Sequence, residues 1–240
     1  MKLSIYIICN KNKETGRFKS IENQLKKIIN KKSFEINFYF YLWKDEINDN
    51  HIKHYCKTDN SMKYHGRKKS VKPLTKGEVS LCLNNIECLK KIKATYNNGY
   101  FLILESDFIF NDNFEENIII LCDYLKNNNV NFDIINIGTG FRDQMTHLLK
   151  KNQPLIINEK IKLYEEKHNC CTEGILWNYN SITKFVNYFN KSEDINGPWD
   201  TILDELHRFI DWKIIMLDPP IVKQGSIIGL FKSELGDRYF

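Results

Sequence analysis

The hydrophobic pattern opens on LSIYIICN (3–10), a β-branched and aromatic run closed by polar residues, which predicts a buried strand. RFKSIENQLKKIINK (17–31) follows, with Ile21, Leu25, Ile28 and Ile29 at helical spacing. FEINFYFYLW (34–43) then predicts a second strand. Strand, helix, strand is the opening of an α/β fold with a parallel sheet. Residues 44–73 are polar, rich in Asn, His and Lys, and without period, so a long loop is expected, and such loops are often functional. TKGEVSLCLNNIECLKKIKAT (75–95) has a helical apolar face of Val79, Leu83, Ile86, Leu89 and Ile92. Thr75 with Glu78 three residues on forms a capping-box signature at its start.

The rest of the chain continues the alternation. YFLILE (100–105) predicts a third strand, and 113–128 a helix with Asn113 as candidate cap. FDIINIG (132–138) predicts a strand closed by Gly138. Residues 139–160 are irregular, and 160–167 suits an edge strand. Helices are expected over 181–191 and, opened by Pro198 near its first position, over 198–209. WKIIMLDPPIVKQG (212–225) predicts a final strand and a Pro-terminated loop. Neither a repeat nor a linker interrupts the pattern, so one domain over 1–240 is expected. Its class is α/β, with a mostly parallel mixed sheet flanked by helices.

Composition narrows the function classes. With 240 residues, 42% hydrophobic and 27% charged, the chain has the profile of a soluble globular domain. No apolar run is long enough to span a bilayer, and the N-terminal run is too strand-like for a signal peptide. The net charge of +5 suits phosphate-bearing ligands as well as nucleic acid. Outside the cluster HGRKKSVK (65–72), which also suits a solvated loop, the basic residues are scattered. A nucleic-acid surface needs them gathered with exposed aromatics on one face, so no nucleic-acid partner is expected. Seven cysteines without a CxxC pair, four of them in apolar stretches, argue for a reducing, cytoplasmic setting and against a zinc site. The six histidines show neither HExxH nor paired spacing. CNKNKETG (9–16) is no phosphate-binding P-loop, which argues against a nucleotidyl- or phosphotransferase.

One stretch breaks the pattern. GYFLILESDFIF (99–110) is a buried-strand run that carries Glu105, Ser106 and Asp107. Open α/β sheets bind ligands beyond the C-terminal ends of their strands. Two carboxylates one residue apart repel unless something separates or neutralises them. A divalent cation such as Mn²⁺ or Mg²⁺ takes oxygen ligands and shares its shell with substrate phosphates. Glu105 and Asp107 are therefore candidate metal ligands. A solvated turn or a helix-capping element explains the same acids, and Asp112 nearby shows that acids are common here.

The block LTKGEVSLCLNNIECLKKI followed by GYFLILESDFIF resembles the signature of glycosyltransferase family 25, which includes lipooligosaccharide and collagen galactosyltransferases. Leu74, Thr75, Gly77 and Glu78 match its helix start. Glu105 and Asp107 match the outer acids of its Glu-Asp-Asp strand end, with Ser106 in the middle place, which removes one charge from the metal site. Asn84 and Asn85 stand where the family shows Ser-His, so no titrating imidazole is present there. Arg17 resembles the family's arginine after the first strand, placed to pair with phosphate. FDIINIG, CTEGILWNYNSITKFV, GPWDTILDEL and PPIVKQGS are similar to later family segments, in the same order.

The resemblance implies a GT-A-like fold and transfer of a hexose, galactose or glucose, from a UDP-sugar to a hydroxyl on a glycan or protein, with inversion. Arg17, Glu78, Glu105 and Ser106 are then expected against the donor, and Asp200 as general base with Glu173 in reserve. Each has a plainer explanation. An acid in a first helical turn, as Asp200 is expected to be, is favoured by the macrodipole alone, and Glu78 equally closes the capping box. Trp43, Tyr64 and Trp199 suit stacking on sugar or uracil, and equally suit the core. Ser106, Asn84 and Asn85 also fit an alternative, a binding relic without turnover. Sugar and acceptor depend on residues 44–73 and 139–160.

Overall fold

A computed structural model describes residues 2–56, 74–138, 153–166 and 172–232. Eight strands form one sheet in the order β2 (Phe34–Tyr39), β1 (Leu3–Ile8), β3 (Tyr100–Glu105), β8 (Gly174–Asn178), β5 (Ile134–Asn136), β9 (Ile214–Asp218), β7 (Lys162–Glu166) and β6 (Leu155–Ile156). β8 and β7 run against the other six, so the sheet is mixed with one dominant direction. A two-stranded ribbon, β4 (Phe108–Phe110) with β10 (Val222–Gln224), stands beside it.

Both faces of the middle of the sheet are covered, which is why β1, β3, β8 and β9 read as nearly unbroken apolar runs. Along β3, Phe101 and Ile103 face one core and Leu102 and Leu104 the other. The first core gathers α3 (Lys76–Thr95), α5 (Tyr179–Ser192) and α6 (Trp199–Glu205). The second gathers α1 (Thr15–Lys26) and α4 (Phe114–Asn128). Among the described residues no helix is long and apolar enough to cross a membrane.

Several boundaries differ from the sequence pattern. The helix expected over 17–31 ends at Lys26. Beyond it the Glu115 carboxylate captures the Ile29 and Asn30 amides at 2.8 and 2.7 Å, turning the chain so that Ile28 is buried and Ile29 exposed. The second strand stops at Tyr39 because the next residues leave the sheet for α3. Part of the expected 44–73 loop is helical: a 3-10 turn at Lys44–Glu46 and α2 (Asp49–Tyr55), capped by the Asn48 side chain. Residues too few and too polar to show a period carry α2, and its cap was the only local signal. Residues 57–73, with Tyr64 and the 65–72 cluster, lie outside the described residues. Lys162–Glu166 is a strand as expected, but β6 from the stretch read as irregular takes the edge. The segment 212–225 divides into β9 and β10, which belong to different sheets. Asn113 precedes α4 without a side-chain capping bond. GILWN, which carried no strand expectation, is central β8, a five-residue run between polar neighbours.

Candidate active site

The register brings the ends of four strands to one edge of the sheet. Ile8 of β1 lies opposite Glu105 of β3, and Leu104 opposite Gly174 of β8. The Glu105 amide donates to the Glu173 carbonyl at 3.2 Å, and the Ile137 amide to the Gly174 carbonyl at 3.0 Å. A Cβ on Gly138 would come within 2.4 Å of the Glu173 carboxyl group, so only glycine leaves room for that side chain. Glu173 is thus wholly buried at the mouth of β8.

A half-open cleft lies over this edge. Glu105, Ser106 and Asp107 line it together with Arg17, Phe40, Trp43, Lys44, Asn84, Gln224 and Ser226. Asp107 is almost fully buried. Its Oδ2 accepts from the Ser226 amide at 3.2 Å and the Ser226 hydroxyl at 2.6 Å, and its carbonyl accepts from the Gly225 amide at 2.7 Å. Its Oδ1 is buried and has no hydrogen-bond partner among the described residues. An uncompensated carboxylate oxygen in that setting is costly unless a cation or donor meets it.

Glu105 is half-buried, and its Oε1 accepts from the Thr172 hydroxyl. Burial first, then the fields of Asp107, Glu173 and Asp200, push its carboxyl up to about 8, while the Thr172 bond opposes the shift. Asp200 lies in the first turn of α6, where its Oδ1 accepts from the Thr201 amide at 2.8 Å. Burial also raises its carboxyl, with Asp204 adding to the effect. The fields of Asp107, Glu173 and Asp200 therefore all reach Glu105, although Glu173 and Asp200 do not line the cleft.

Arg17 and Ser106 meet in the cleft: Arg17 Nη1 donates to the Ser106 hydroxyl at 2.9 Å, and Ser106 donates to Glu14. Glu78 is buried with its Oε2 accepting from the Thr75 amide at 2.6 Å and hydroxyl at 2.8 Å, so it closes the capping box, and its neighbours Gly77 and Ser80 line the cleft. Trp43 stands 6.0 Å from Phe40 at the cleft wall. Trp199 instead belongs to the core, stacked 6.5 Å from Trp177, which corrects its candidacy for ligand stacking. Asn84 also has a structural task. Its Oδ1 accepts from the Tyr41 amide at 2.6 Å, and its Nδ2 donates to the Leu42 carbonyl at 2.8 Å, pinning residues 41–42 to α3. Asn85 donates to the Leu81 carbonyl at 3.0 Å.

Glu14 and Lys44 escaped the sequence reading, because nothing in their local patterns marks them, whereas Thr172 lies in CTEGILWNYNSITKFV, where the resemblance pointed. Gln224 and Ser226 lie in PPIVKQGS, where the resemblance alone pointed. Cys9, Cys82, Cys88 and Cys122 are free and buried, acting as small hydrophobes, while Cys170 and Cys171 lie outside the described residues.

Among the described residues no group of three or more His, Cys, Asp and Glu side chains is arranged to hold a metal. Glu105 and Asp107 offer hard oxygen donors as a pair, one with an unpartnered buried oxygen. That donor set suits Mg²⁺ or Mn²⁺ completing its shell with phosphate oxygens and water. Neither a protein-family model nor a curated protein sequence matches the chain.

Proposed function

We propose that the protein is a glycosyltransferase that moves a hexose, galactose or glucose, from a UDP-sugar to a hydroxyl of a glycan or protein, with inversion. The observation that carries the reading is the pair of acids ending β3: Asp107 keeps a buried oxygen without a partner among the described residues and Glu105 is pushed towards neutrality, both lining one cleft at the strand ends. Glu105 and Asp107 would hold the cation, and Arg17 and Lys44, on the cleft wall, would face the diphosphate. When bound, the ion stabilises negative charge gathering on the departing nucleotide. Phe40 and Trp43 offer aromatic surface for the base or sugar.

In the transfer, the acceptor oxygen bonds to the anomeric carbon and the bond from that carbon to the phosphate oxygen breaks. UDP leaves with that electron pair. The acceptor's proton would pass to Asp200, whose raised carboxyl is a stronger base than an exposed aspartate, and which does not itself line the cleft.

Thermal denaturation with UDP, with and without Mn²⁺, tests the reading, since a ligand of the native state raises the midpoint. A Mn²⁺-dependent rise with UDP, lost in Asp107→Ala, is expected; no rise with any UDP-sugar in the intact protein overturns the proposal. Release of UDP from a panel of UDP-hexoses then separates turnover from binding alone.

A further inference from the structure

We infer that Glu14 is a positioning residue for the Arg17 guanidinium, and that Ser106 is its matched partner, the pair together presenting Arg17 to a pyrophosphate group. The inference rests on the reading of the cleft as a nucleoside-diphosphate site. Glu14 precedes α1 without capping it, and its carboxyl is turned into the cleft lining, where its side chain is 7% exposed. Its Oε2 accepts from the Asn10 amide at 2.8 Å, which closes the loop leaving β1. Its Oε1 accepts from the Ser106 hydroxyl and from Arg17 Nη1 at 3.3 Å.

These bonds fix one edge of the guanidinium. Nη1 is committed to Ser106 and Glu14, whereas Nη2 donates to the Lys232 carbonyl at 2.6 Å in an exposed position. The Phe231 ring lies 5.7 Å from the guanidinium carbon. A backbone carbonyl oxygen is a neutral acceptor, and a phosphate oxygen is a stronger, charged one for the same donor. The inner edge of Arg17 is thus held by side chains, while its outer edge meets a neutral acceptor that a phosphate oxygen would outcompete.

Ser106 explains how this arrangement tolerates a buried acid. Its hydroxyl donates to Glu14 while accepting from Arg17. A carboxylate at position 106 accepts from Arg17 as well, but has no hydrogen for Glu14, and two buried carboxylates would then oppose each other. The neutral middle residue of the Glu-Ser-Asp turn and the acid in the first loop therefore require one another. Glu14 is not a third metal ligand, since no three acids converge among the described residues; Arg17 balances its charge.

A double-substitution cycle tests the pairing. Binding of UDP with Mn²⁺, and of inorganic pyrophosphate, is measured by calorimetry for the intact protein, E14Q, S106D and E14Q/S106D, each checked for its unfolding midpoint. Disturbing how Arg17 is held, through loss of its charged partner in E14Q and through the opposed carboxylates in S106D, should weaken binding about tenfold in each single variant. The double variant moves the carboxylate to position 106 and leaves an amide at 14 to donate to it, so it should recover most of the lost affinity. A purely structural role would not produce that recovery. Single variants that bind like the intact protein, or a double variant whose losses simply add, overturn the inference and leave the transferase reading standing. If a single variant folds poorly, the double variant decides: near-intact affinity supports the pair, and a tenfold or greater deficit overturns it. An intact protein that binds neither ligand overturns the transferase reading and the inference with it.

Discussion

At the residue scale, the acids of the cleft carry the sharpest expectations. Glu105 has a folded value of about 8 against an ordinary 4.5. The folded protein therefore keeps a proton that the unfolded chain has released, and stability falls as pH rises through that window. Metal-free protein should show a falling unfolding midpoint from pH 4.5 to about 8, and Glu105→Gln should flatten the slope. A profile unchanged by the substitution would count against the buried, mutually repelling set of acids. Asn84 supports the cleft wall through bonds to Tyr41 and Leu42. Asn84→Ala takes this partner from those part-buried backbone groups, so a loss of about 1 kcal/mol in chemical denaturation is expected.

At the element scale, the capping box and the glycine beside Glu173 govern how helices and strands end at the site. Thr75→Ala removes the acceptor for the Glu78 amide and the donor to its carboxylate. About 1 kcal/mol of stability should go with it, read from urea unfolding. The box was legible because it is local, spanning four residues. Gly138 was legible only as the end of a strand. Its need for glycine comes from Glu173, which reaches it across β5 and β8. Gly138→Ala should cost about 1–3 kcal/mol by overpacking, and Glu173→Ala should restore part of that loss in the double variant; equal stability of Gly138→Ala and the intact protein would refute the close approach.

At the scale of the molecule, the sheet decides which acids become neighbours. The reversed strand β8 lies between β3 and β5 and carries Glu173 to Glu105. The helix α6 brings Asp200 close enough for its field to reach Glu105. In the proposed reaction Asp200 receives the acceptor's proton, so Asp200→Asn should lower UDP release from a UDP-hexose by about a hundredfold or more. The Mn²⁺-dependent stabilisation by UDP should persist, and its loss would move Asp200 from catalysis to binding.

What the sequence by itself determined was local: buried strands at Leu3–Ile8 and Tyr100–Glu105, the long helix with its Thr75–Glu78 box, and the place of the acid pair after the central strand. Each rests on periodicity or on contacts a few residues apart. Tertiary structure alone decided the strand order, the reversal of β8, the core role of Trp199 and the bonds that tie Arg17 to Ser106 and Asp107 to Ser226. Those partners are 89 and 119 residues apart along the chain. Hydrophobic period says which face of an element is buried, but it carries no information about which other element lies against that face.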